Sequence, residues 1–305
     1  MQVLRTPDER FAGLANTGQA HYADVPFGDQ PVRMAYLDVS ASASSGGEAP
    51  PVVVLLHGEP TWSYVYRTMI PVLTDAGLRV VAPDMVGFGR SDKPSEVGDH
   101  TYARHVASMK ALLVDHLGLS GVTLVGQDWG GLIGLRLATE NAGLVDRVVA
   151  ANTGLPTGDH GMPDMWWAMR RAMETAPVLD VGRAVAAGCV RGLSDEARAA
   201  YDAPFPEETY KAGPRAMPGL VPTSTDDPAT QANRAAWAVL AAWTRPFLVA
   251  FADSDPITGA MAPVFRKVVP GTQGLEHPTI ARAGHFLQED AGPELADAVV
   301  QLVSG

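Results

Sequence analysis

An aspartate lies at the centre of a short glycine motif, Gly126-x-Asp128-x-Gly130, which follows the apolar run Val122–Val125 and precedes a helical pattern. Glycines two residues before and two after it permit a sharp, strained turn from strand to helix, because larger side chains there would collide. The start of the following helix would favour the ionised carboxylate. The motif predicts a nucleophile elbow with Asp128 as nucleophile, although it also fits an ordinary helix N-cap.

Two further residues could complete a catalytic triad with Asp128. His285 follows the last predicted strand, where it could act as the general base. Asp255, just before Pro256, follows the preceding strand and is the preferred acid, with Asp253 as the alternative. The chain order of nucleophile, acid and histidine is that of the α/β-hydrolase fold. This order at successive strand ends favours a triad over three unrelated side chains.

The apolar run Val52–Leu56 ends in a His-Gly-Glu-Pro sequence at 57–60, where this fold builds half of its oxyanion hole. We expect one backbone N–H from Glu59 and the other from Trp129, the residue after the nucleophile. His57 is interpreted as a structural loop histidine rather than a base. The indole N–H of Trp129 could also donate to a departing halide, whereas the alternative is simple packing after the elbow.

A carboxylate nucleophile indicates displacement at a saturated carbon rather than attack on a carbonyl group. Serine would form an ether there that the triad could not hydrolyse, whereas Asp128 would form an alkyl ester with its carbonyl in the oxyanion hole. His285 would deprotonate a water molecule to hydrolyse that ester, oriented by Asp255. The expected substrate is therefore an alkyl halide, an epoxide or another carbon electrophile with a leaving group.

The elements that position these residues are predicted from short apolar runs that alternate with helical patterns. This alternation predicts an α/β fold with a mostly parallel central sheet flanked by helices. Strands are expected at Val52–Leu56, Arg79–Ala82, Val122–Val125, Arg147–Ala151, Phe247–Phe251 and Thr279–Arg282, with an antiparallel edge strand at Met34–Val39 before a flexible turn at Ser40–Pro51. Helices are expected at Tyr102–Leu117, Leu132–Thr139 and Pro293–Leu302.

The alternation of strands and helices breaks between about Leu155 and Trp243. This stretch contains Met and Trp clusters, many prolines, and helical pieces separated by turns. An insertion between two core strands can cover a site at the carboxyl ends of the strands. We predict a hydrolase core formed by residues 1–154 and 244–305, with an inserted helical cap at residues 155–243.

Composition excludes several classes of partner. The net charge of -11 disfavours nucleic acid and anionic membrane surfaces. Cys189 is the only cysteine, so no intrachain disulfide can form, and no cysteine cluster suggests a zinc site. No stretch approaches the ~20 apolar residues of a membrane span, and residues 1–23 contain no signal-like apolar run. We expect a cytoplasmic, soluble monomer or homodimer with no metal or organic cofactor and with water as co-substrate.

Longer segments resemble the haloalkane dehalogenases over nearly the full chain. They are Val3-Leu-Arg-Thr-Pro-Asp-Glu-Arg-Phe11, His57-Gly-Glu-Pro-Thr-Trp-Ser63, Asp84-Met-Val-Gly-Phe-Gly-Arg-Ser-Asp-Lys-Pro94, Gln127-Asp-Trp-Gly-Gly131, Tyr201-Asp-Ala-Pro-Phe-Pro206 and Gly284-His-Phe-Leu-Gln-Glu-Asp290. The resemblance implies a hydrolase acting on carbon–halide bonds, which converts a haloalkane into alcohol, halide and proton through an alkyl-aspartate intermediate. It further implies Asp128 as nucleophile, Asp255 as acid, His285 as base and Trp129 as the first halide donor.

The second halide-binding residue departs from the pattern of this family. Relatives of this subgroup supply a tryptophan from an early cap helix, and an ungapped count back from Pro177 places Met169 there. Trp166 and Trp167 lie two or three residues earlier, and both are also compatible with packing between cap and core. Trp167 is the preferred candidate.

Two other functions remain possible at this point. An epoxide hydrolase would use the same Asp-His-Asp machinery with cap tyrosines that protonate the epoxide oxygen. Tyr201 and Tyr210 are the tyrosines of the predicted cap, and their proline-rich surroundings do not direct them towards Asp128. A non-catalytic α/β hydrolase that binds a small ligand is the third hypothesis, but a receptor does not need a complete triad.

Overall fold

The computed structural model describes residues 1–14, 18–42 and 49–305. Its strands are β1 (Val3–Leu4), β2 (Ala20–Phe27), β3 (Gln30–Val39), β4 (Val52–Leu56), β5 (Arg79–Pro83), β6 (Lys93–Pro94), β7 (Val122–Gln127), β8 (Val145–Ala151), β9 (Phe247–Val249), β10 (Phe251–Ala252) and β11 (Thr279–Ile280). Its α-helices are α1 (Met69–Asp75), α2 (Tyr102–Lys110), α3 (Trp129–Glu140), α4 (Asp164–Thr175), α5 (Val181–Ala187), α6 (Asp195–Asp202), α7 (Ala212–Ala216), α8 (Thr230–Leu240), α9 (Met261–Val268) and α10 (Leu287–Ser304). Within the predicted turn Ser40–Pro51, residues 43–48 lie outside the described residues.

Seven of these strands form the central sheet, in the order β2-β3-β5-β4-β7-β8-β9. Strands β5, β4, β7, β8 and β9 are parallel to one another, whereas β2 and β3 are antiparallel. The inner strands β4 and β7 are almost wholly buried, as expected where helices cover both faces of a parallel sheet. The predicted mostly parallel α/β sheet is therefore confirmed.

The prediction of an edge strand at Met34–Val39 is wrong in its position. This strand lies inside the sheet because β2, which was not predicted, pairs with it from Gln30 to Leu37. The two strands are joined through Gly28 and Asp29, and Gly28 adopts φ 74°, which glycine accepts without strain. In β2 the side chains from Ala23 to Phe27 alternate between buried and exposed, the pattern of a strand with one face in water.

The predicted strand Phe247–Phe251 is divided in two. Strand β9 ends at Val249, and the next two residues of strand form the short parallel ladder β10–β11. The N–H of Ala250 still donates to the carbonyl of Ala150 at 2.9 Å, so the chain stays beside β8 across the break. The loops after β10 and β11, which carry Asp255 and His285, therefore leave the sheet side by side.

Three helices differ from prediction at their ends. The predicted helix 102–117 is α-helical only as far as Lys110 and continues as a π-helical segment over Ala111–His116. Helix α3 begins at Trp129, directly after the elbow and ahead of the predicted start. Helix α10 is kinked at the non-helical residue Ala291 (φ −150°, ψ 43°), so the helix predicted from Pro293 corresponds to its segment after the kink, and a short unpredicted helical segment precedes it.

The connection from β8 to β9 contains helices α4 to α8. A buried carboxylate, that of Glu289, links this connection to α10. Glu289 on α10 accepts a hydrogen bond from the hydroxyl of Tyr201 on α6. It also receives two hydrogen bonds from the guanidinium of Arg67, one of them at 2.7 Å. Only 2% of the Glu289 side chain is exposed, so Glu289 and Arg67 depend on each other for charge compensation.

We predict that Glu289→Ala lowers the free energy of unfolding by about 3–5 kcal/mol, because Arg67 would keep a largely buried charge without its partner. Urea denaturation measures this change. The matched control is Glu174→Ala on α4, whose ion pair with Arg170 is partly exposed and should contribute less than about 1 kcal/mol. Equal losses in the two variants would contradict a special role for the buried cluster.

Candidate active site

The turn between β7 and α3 holds Asp128 in a strained conformation, with φ 49° and ψ −124°. At the two glycine positions of the motif, the surrounding atoms leave no room for a side chain. A Cβ on Gly130 would lie 1.9 Å from the carbonyl oxygen of Leu56, and one on Gly126 would lie 2.7 Å from the Cα of Gly131. The glycines of the motif are therefore required by the close approach of β4, β7 and α3.

The three predicted triad side chains come together at the carboxyl ends of the strands. The imidazole of His285 lies 3.1 Å from Asp255 through Nδ1 and Oδ1, and 3.5 Å from Asp128 through Nε2 and Oδ2. The alternative acid, Asp253, is exposed and accepts hydrogen bonds from the backbone of the turn after β11. This geometry favours Asp255 over Asp253 as the partner of the histidine.

The charges of the triad stabilise one another. Burial opposes ionisation of Asp255, but His285 and hydrogen bonds from Thr258 and the Ile257 N–H lower the pKa of Asp255 to about 2. Burial likewise opposes protonation of His285, but the charges of Asp255 and Asp128 outweigh it and raise the pKa of His285. The two neighbouring carboxylates therefore favour the protonated form of His285.

One oxygen of the Asp128 carboxylate is held, and the other is available. The N–H of Glu59 donates to Oδ1 at 2.8 Å, which matches one of the two predicted oxyanion-hole donors. The second predicted donor, the N–H of Trp129, makes no hydrogen bond to this carboxylate among the described residues. A Cβ on Gly58 would lie 2.5 Å from the Asp128 Cβ, so glycine is needed for this approach. Oδ2 is left facing His285.

His57, in the loop that carries Glu59, has a different environment from His285. Its Nδ1 lies 2.9 Å from the carbonyl oxygen of Gly58, and its Nε2 accepts a hydrogen bond from the N–H of Met85 at 2.9 Å. Burial lowers the pKa of His57. Both ring nitrogens are engaged by backbone groups, which agrees with a structural role for this residue.

The side chain of Glu59 is also buried beside the nucleophile. Its Oε1 has no hydrogen-bond partner among the described residues. Burial and the charge of Asp128 raise the pKa of Glu59, and His285 offsets this only in part. Burial and the neighbouring carboxylate thus shift Glu59 towards its neutral form.

Two cavities meet at Asp128. The larger has a volume of about 770 Å³ and is lined by Trp129 and Trp166, among mostly apolar side chains. The smaller, of about 310 Å³, is lined by Glu59 and His285. Both tryptophans line the larger cavity, and their indole N–H groups make no hydrogen bond within the described part of the chain.

The placement of the tryptophans favours Trp166 over Trp167 as the second halide-binding residue. Trp166 is 4% exposed and lines the larger cavity, whereas Trp167 is 39% exposed and is not among the residues that line either cavity. Met169, the ungapped alternative, lines the smaller cavity with His285. Successive helix residues point about 100° apart, so only one of two adjacent tryptophans can face the site.

Sequence reasoning missed Asn152, which contacts all three triad loops. Its buried amide donates to the carbonyls of Gly284 and His285 at 2.8 and 3.0 Å. Its Oδ1 accepts from the N–H of Ala252 at 2.9 Å, and its carbonyl accepts from the N–H of Asp128 at 3.0 Å. A polar residue directly after the apolar strand β8 was the available signal.

Gln127 supports the same histidine from the other side. Its amide nitrogen donates to the carbonyl oxygen of His285 at 3.1 Å and lies 3.3 Å from Nε2 of that ring. Its own oxygen accepts from Gln288 at 3.3 Å. The backbone of His285 is therefore fixed by two buried amide side chains, those of Asn152 and Gln127.

Comparison with known proteins defines first a fold class and then a family. Residues 51–292 match the model of the α/β hydrolase fold family. Haloalkane dehalogenases from Mycolicibacterium paratuberculosis and Psychrobacter cryohalolentis are 52% and 49% identical to the chain, over 98% and 99% of its length and 98% of theirs. The tetrameric structure of haloalkane dehalogenase DpaA from Paraglaciecola agarilytica superposes with a TM-score of 0.87 at 37% identity, covering 97% of each chain. The chain therefore belongs to the haloalkane dehalogenase family of α/β hydrolases.

These comparisons confirm the predicted fold and the resemblance read from the motifs. Within residues 1–14, 18–42 and 49–305, no helix is long and apolar enough to cross a membrane. In the same residues, no group of three or more His, Cys, Asp or Glu side chains could hold a metal ion.

We predict that Asn152→Ala lowers kcat roughly 10- to 100-fold, because small displacements of a catalytic group have effects of this size. Steady-state kinetics on the folded variant measure the loss, and KM should change less than kcat. Asn141→Ala is the matched control, since among the described residues its side-chain amide donates only to the carbonyl of Leu137, near the end of α3. Unchanged turnover by Asn152→Ala would show that the loops hold the triad without this residue.

Proposed function

We propose that this enzyme hydrolyses the carbon–halogen bond of a haloalkane through a covalent ester on Asp128. The proposal rests on one observation. Oδ1 of Asp128 is held by the N–H of Glu59, while Oδ2 lies 3.5 Å from His285, beside a cavity lined by two tryptophans whose indole N–H groups have no hydrogen-bond partner among the described residues. A carboxylate with one free oxygen, a histidine and two halide donors suit displacement at carbon followed by ester hydrolysis.

In the first step, Oδ2 of Asp128 attacks the carbon that bears the halogen. The new carbon–oxygen bond forms as the carbon–halogen bond breaks, and the electron pair leaves with the halide. The indole N–H groups of Trp129 and Trp166 would donate to the departing halide, in the same apolar cavity that would receive the alkyl chain. This step requires no proton transfer.

In the second step, the ester on Asp128 is hydrolysed by water. Alkylation removes one of the two negative charges that raise the pKa of His285, so a protonated ring can release its proton to solvent and the neutral imidazole can act as the base. A water molecule that loses its proton to Nε2 attacks the ester carbonyl, and the N–H of Glu59 stabilises the oxyanion at Oδ1. Asp255 stabilises the imidazolium, which passes its proton to the departing alkoxide so that the alcohol leaves. The carboxylic acid left on Asp128 then gives its proton to His285, which restores the carboxylate.

We assign residues 155–243 to the cap over this site, because Trp166 and Met169 on α4 contribute to the two cavity walls. Residues 1–154 and 244–305 supply the sheet and the triad. The proposed partners are a small halogenated hydrocarbon and water. A monomer or homodimer in the cytoplasm stays a prediction.

The epoxide-hydrolase alternative lacks its proton donors. Tyr201 is fully buried and donates to Glu289, and neither it nor Tyr210 lines a cavity at Asp128. A non-catalytic ligand-binding protein would not need Asp255, His285 and a free Oδ2 in one buried arrangement. Both observations favour dehalogenation.

We predict that His285→Gln releases about one halide per active site and then stalls, because only ester hydrolysis needs a base, a contribution of roughly 100- to 10,000-fold. Rapid-quench halide measurement gives the burst, and mass spectrometry should find the alkyl group on the peptide that carries Asp128. His116→Gln, at an exposed position in the π-helical segment, is the control that should turn over normally. Repeated turnover by folded His285→Gln without an adduct would place the base elsewhere.

We further predict that Trp129→Phe and Trp166→Phe each weaken bromide binding about 10-fold or more, because each removes a hydrogen bond to a charged group. Inhibition of steady-state turnover by added bromide measures the effect. Trp167→Phe is the adjacent control and should leave bromide inhibition within about 2-fold, since its ring is partly in solvent. A larger effect at Trp167 than at Trp166 would reverse the assignment.

A further inference from the structure

Asp290, in the first turn of α10, has a buried carboxylate that accepts three backbone hydrogen bonds. Its Oδ2 accepts from the N–H of Gly284 at 2.8 Å and from the N–H of Val190 at 2.9 Å. Its Oδ1 accepts from the N–H of Arg191 at 2.6 Å. Gly284 directly precedes His285 in the chain, whereas Val190 and Arg191 belong to the cap. A single carboxylate therefore joins the backbone before the proposed base to the cap.

The cap segment that Asp290 binds, residues 188–191, also packs directly on the loop that carries the proposed base. The N–H of Phe286 donates to the carbonyl of Gly188 at 3.3 Å. A Cβ on Gly284 would lie 2.3 Å from the same carbonyl oxygen, and a Cβ on Gly188 would lie 2.6 Å from the Phe286 ring. Neither glycine can be replaced without moving one of the two segments, so a shift of the cap segment is transmitted to this loop.

The three N–H groups, rather than a cation, compensate the carboxylate. Within the described part of the chain, Asp290 forms no ion pair with a Lys, Arg or His side chain. Of its three donors only Gly284 is buried, whereas Val190 and Arg191 are exposed to water. The N–H of Gly284 thus depends most on Asp290, because a buried donor has no solvent to replace its partner. The carbonyl of Gly284 is held separately by Asn152 at 2.8 Å.

The backbone of this loop becomes more important once the ester has formed. In the resting site, the ring of His285 lies 3.1 Å from Asp255 and 3.5 Å from Asp128. The ester removes the charge of Asp128, so its attraction for the ring is lost. The position of the ring in the intermediate then depends on Asp255 and on the backbone that Asp290 holds.

We propose that Asp290 is a positioning residue for ester hydrolysis. It fixes His285 through the N–H of Gly284 and ties that placement to the cap segment 188–191. This inference rests on the proposed function, because it assigns a role in the second step of that reaction. Displacement of the halide needs no base and should proceed without Asp290. Activation of water needs Nε2 of His285 in place, and a small displacement of a catalytic group slows a reaction about 10- to 100-fold.

The test is rapid-quench kinetics with 1-bromohexane, which separates bromide release from ester hydrolysis. In Asp290→Ala, we expect bromide release in the first turnover to stay within about 2-fold of the wild-type rate, whereas ester hydrolysis slows about 10- to 100-fold. Mass spectrometry should find the hexyl group on the peptide that carries Asp128. A residue needed only for folding would lower the burst amplitude or slow both steps, and no ester would accumulate. That result would overturn the inference.

Asp290→Asn is the conservative variant, because it keeps one acceptor oxygen and the size of the side chain. One oxygen suffices for the bonds from Gly284 and Val190, whereas the amide nitrogen would face the N–H of Arg191. Ester hydrolysis should therefore slow only about 2- to 10-fold, as for the loss of one hydrogen bond, with bromide release unchanged. Losses equal to those of Asp290→Ala would contradict the role of the Gly284 bond. If Asp290→Ala does not fold, Asp290→Asn carries the test, and slowing of both steps or of neither overturns the inference.

Asp297→Ala is the matched control, because it removes a carboxylate from an exposed position on the same helix. Both of its steps should stay within about 2-fold of the wild type, since an exposed charge is screened by salt. The rates are measured across the pH range in which the wild type is active. A displaced base lowers the maximal rate of hydrolysis, whereas a lost charge that acts through space shifts only its pH dependence. A shift with an unchanged maximum would overturn the positioning role.

Hydrogen exchange measures the tie between the cap and the base. In Asp290→Ala, the amides of residues 188–191 and of residues 284–286 should both exchange about 10-fold faster or more, because they lose a common partner. Unchanged protection of residues 188–191 would show that the cap segment is held without Asp290 and would overturn this part of the inference.

The wild type tests the proposed function separately. Repeated bromide release by the wild type, together with unimpaired ester hydrolysis in Asp290→Ala, would overturn the inference and leave the proposed function intact. No bromide release by the wild type would overturn the proposed function itself.

Discussion

The strained turn at Asp128 is the constraint on which the rest of the structure depends. Its φ of 49° costs of order 1–3 kcal/mol and persists only because the surroundings hold it. The N–H of Asp128 is bonded to Asn152, and its carbonyl accepts from the Thr153 hydroxyl at 2.7 Å and from the N–H of Gly131 at 2.9 Å. Strand β8 therefore fixes the elbow, while glycines allow β4 and α3 to approach it.

The electrostatics of the site follow from this crowding. Two carboxylates, those of Asp128 and Asp255, flank the buried ring of His285, and their charges raise the pKa of His285. Another ionised group there would be costly, and burial together with Asp128 raises the pKa of Glu59 in agreement with this. Alkylation of Asp128 removes a negative charge that raises the pKa of both Glu59 and His285. Formation of the ester on Asp128 would thus lower the pKa of His285 through the loss of charge alone.

The elbow, the triad order and most core strands could be predicted from sequence because each leaves a local signal. Glycine spacing marks the turn at Asp128, and continuous apolar runs mark strands such as Val52–Leu56. The role of Asn152 could not be predicted, since a single asparagine after a strand has many uses and its partners are distant in sequence. The second halide residue depends on the rotation of α4 about its axis, which tertiary packing sets.

The rotation of α4 about its axis determines two properties of the site: which tryptophan can donate to the halide, and which side chains line the smaller cavity. If α4 turned by about 100° to bring Trp167 inward, Met165, Met169 and Met173 would leave the smaller cavity at the same time. The identity of the halide donor and the shape of the smaller cavity beside His285 therefore cannot change independently of each other. The guanidinium of Arg170 lies 5.6 Å from the rings of both Trp166 and Trp167 and is bonded to Glu174. These contacts lie within α4 and brace the helix internally, whereas Arg215 of α7 acts on it from outside, because its guanidinium donates to the carbonyl oxygens of Met173 and Ala176 at 3.3 and 2.9 Å.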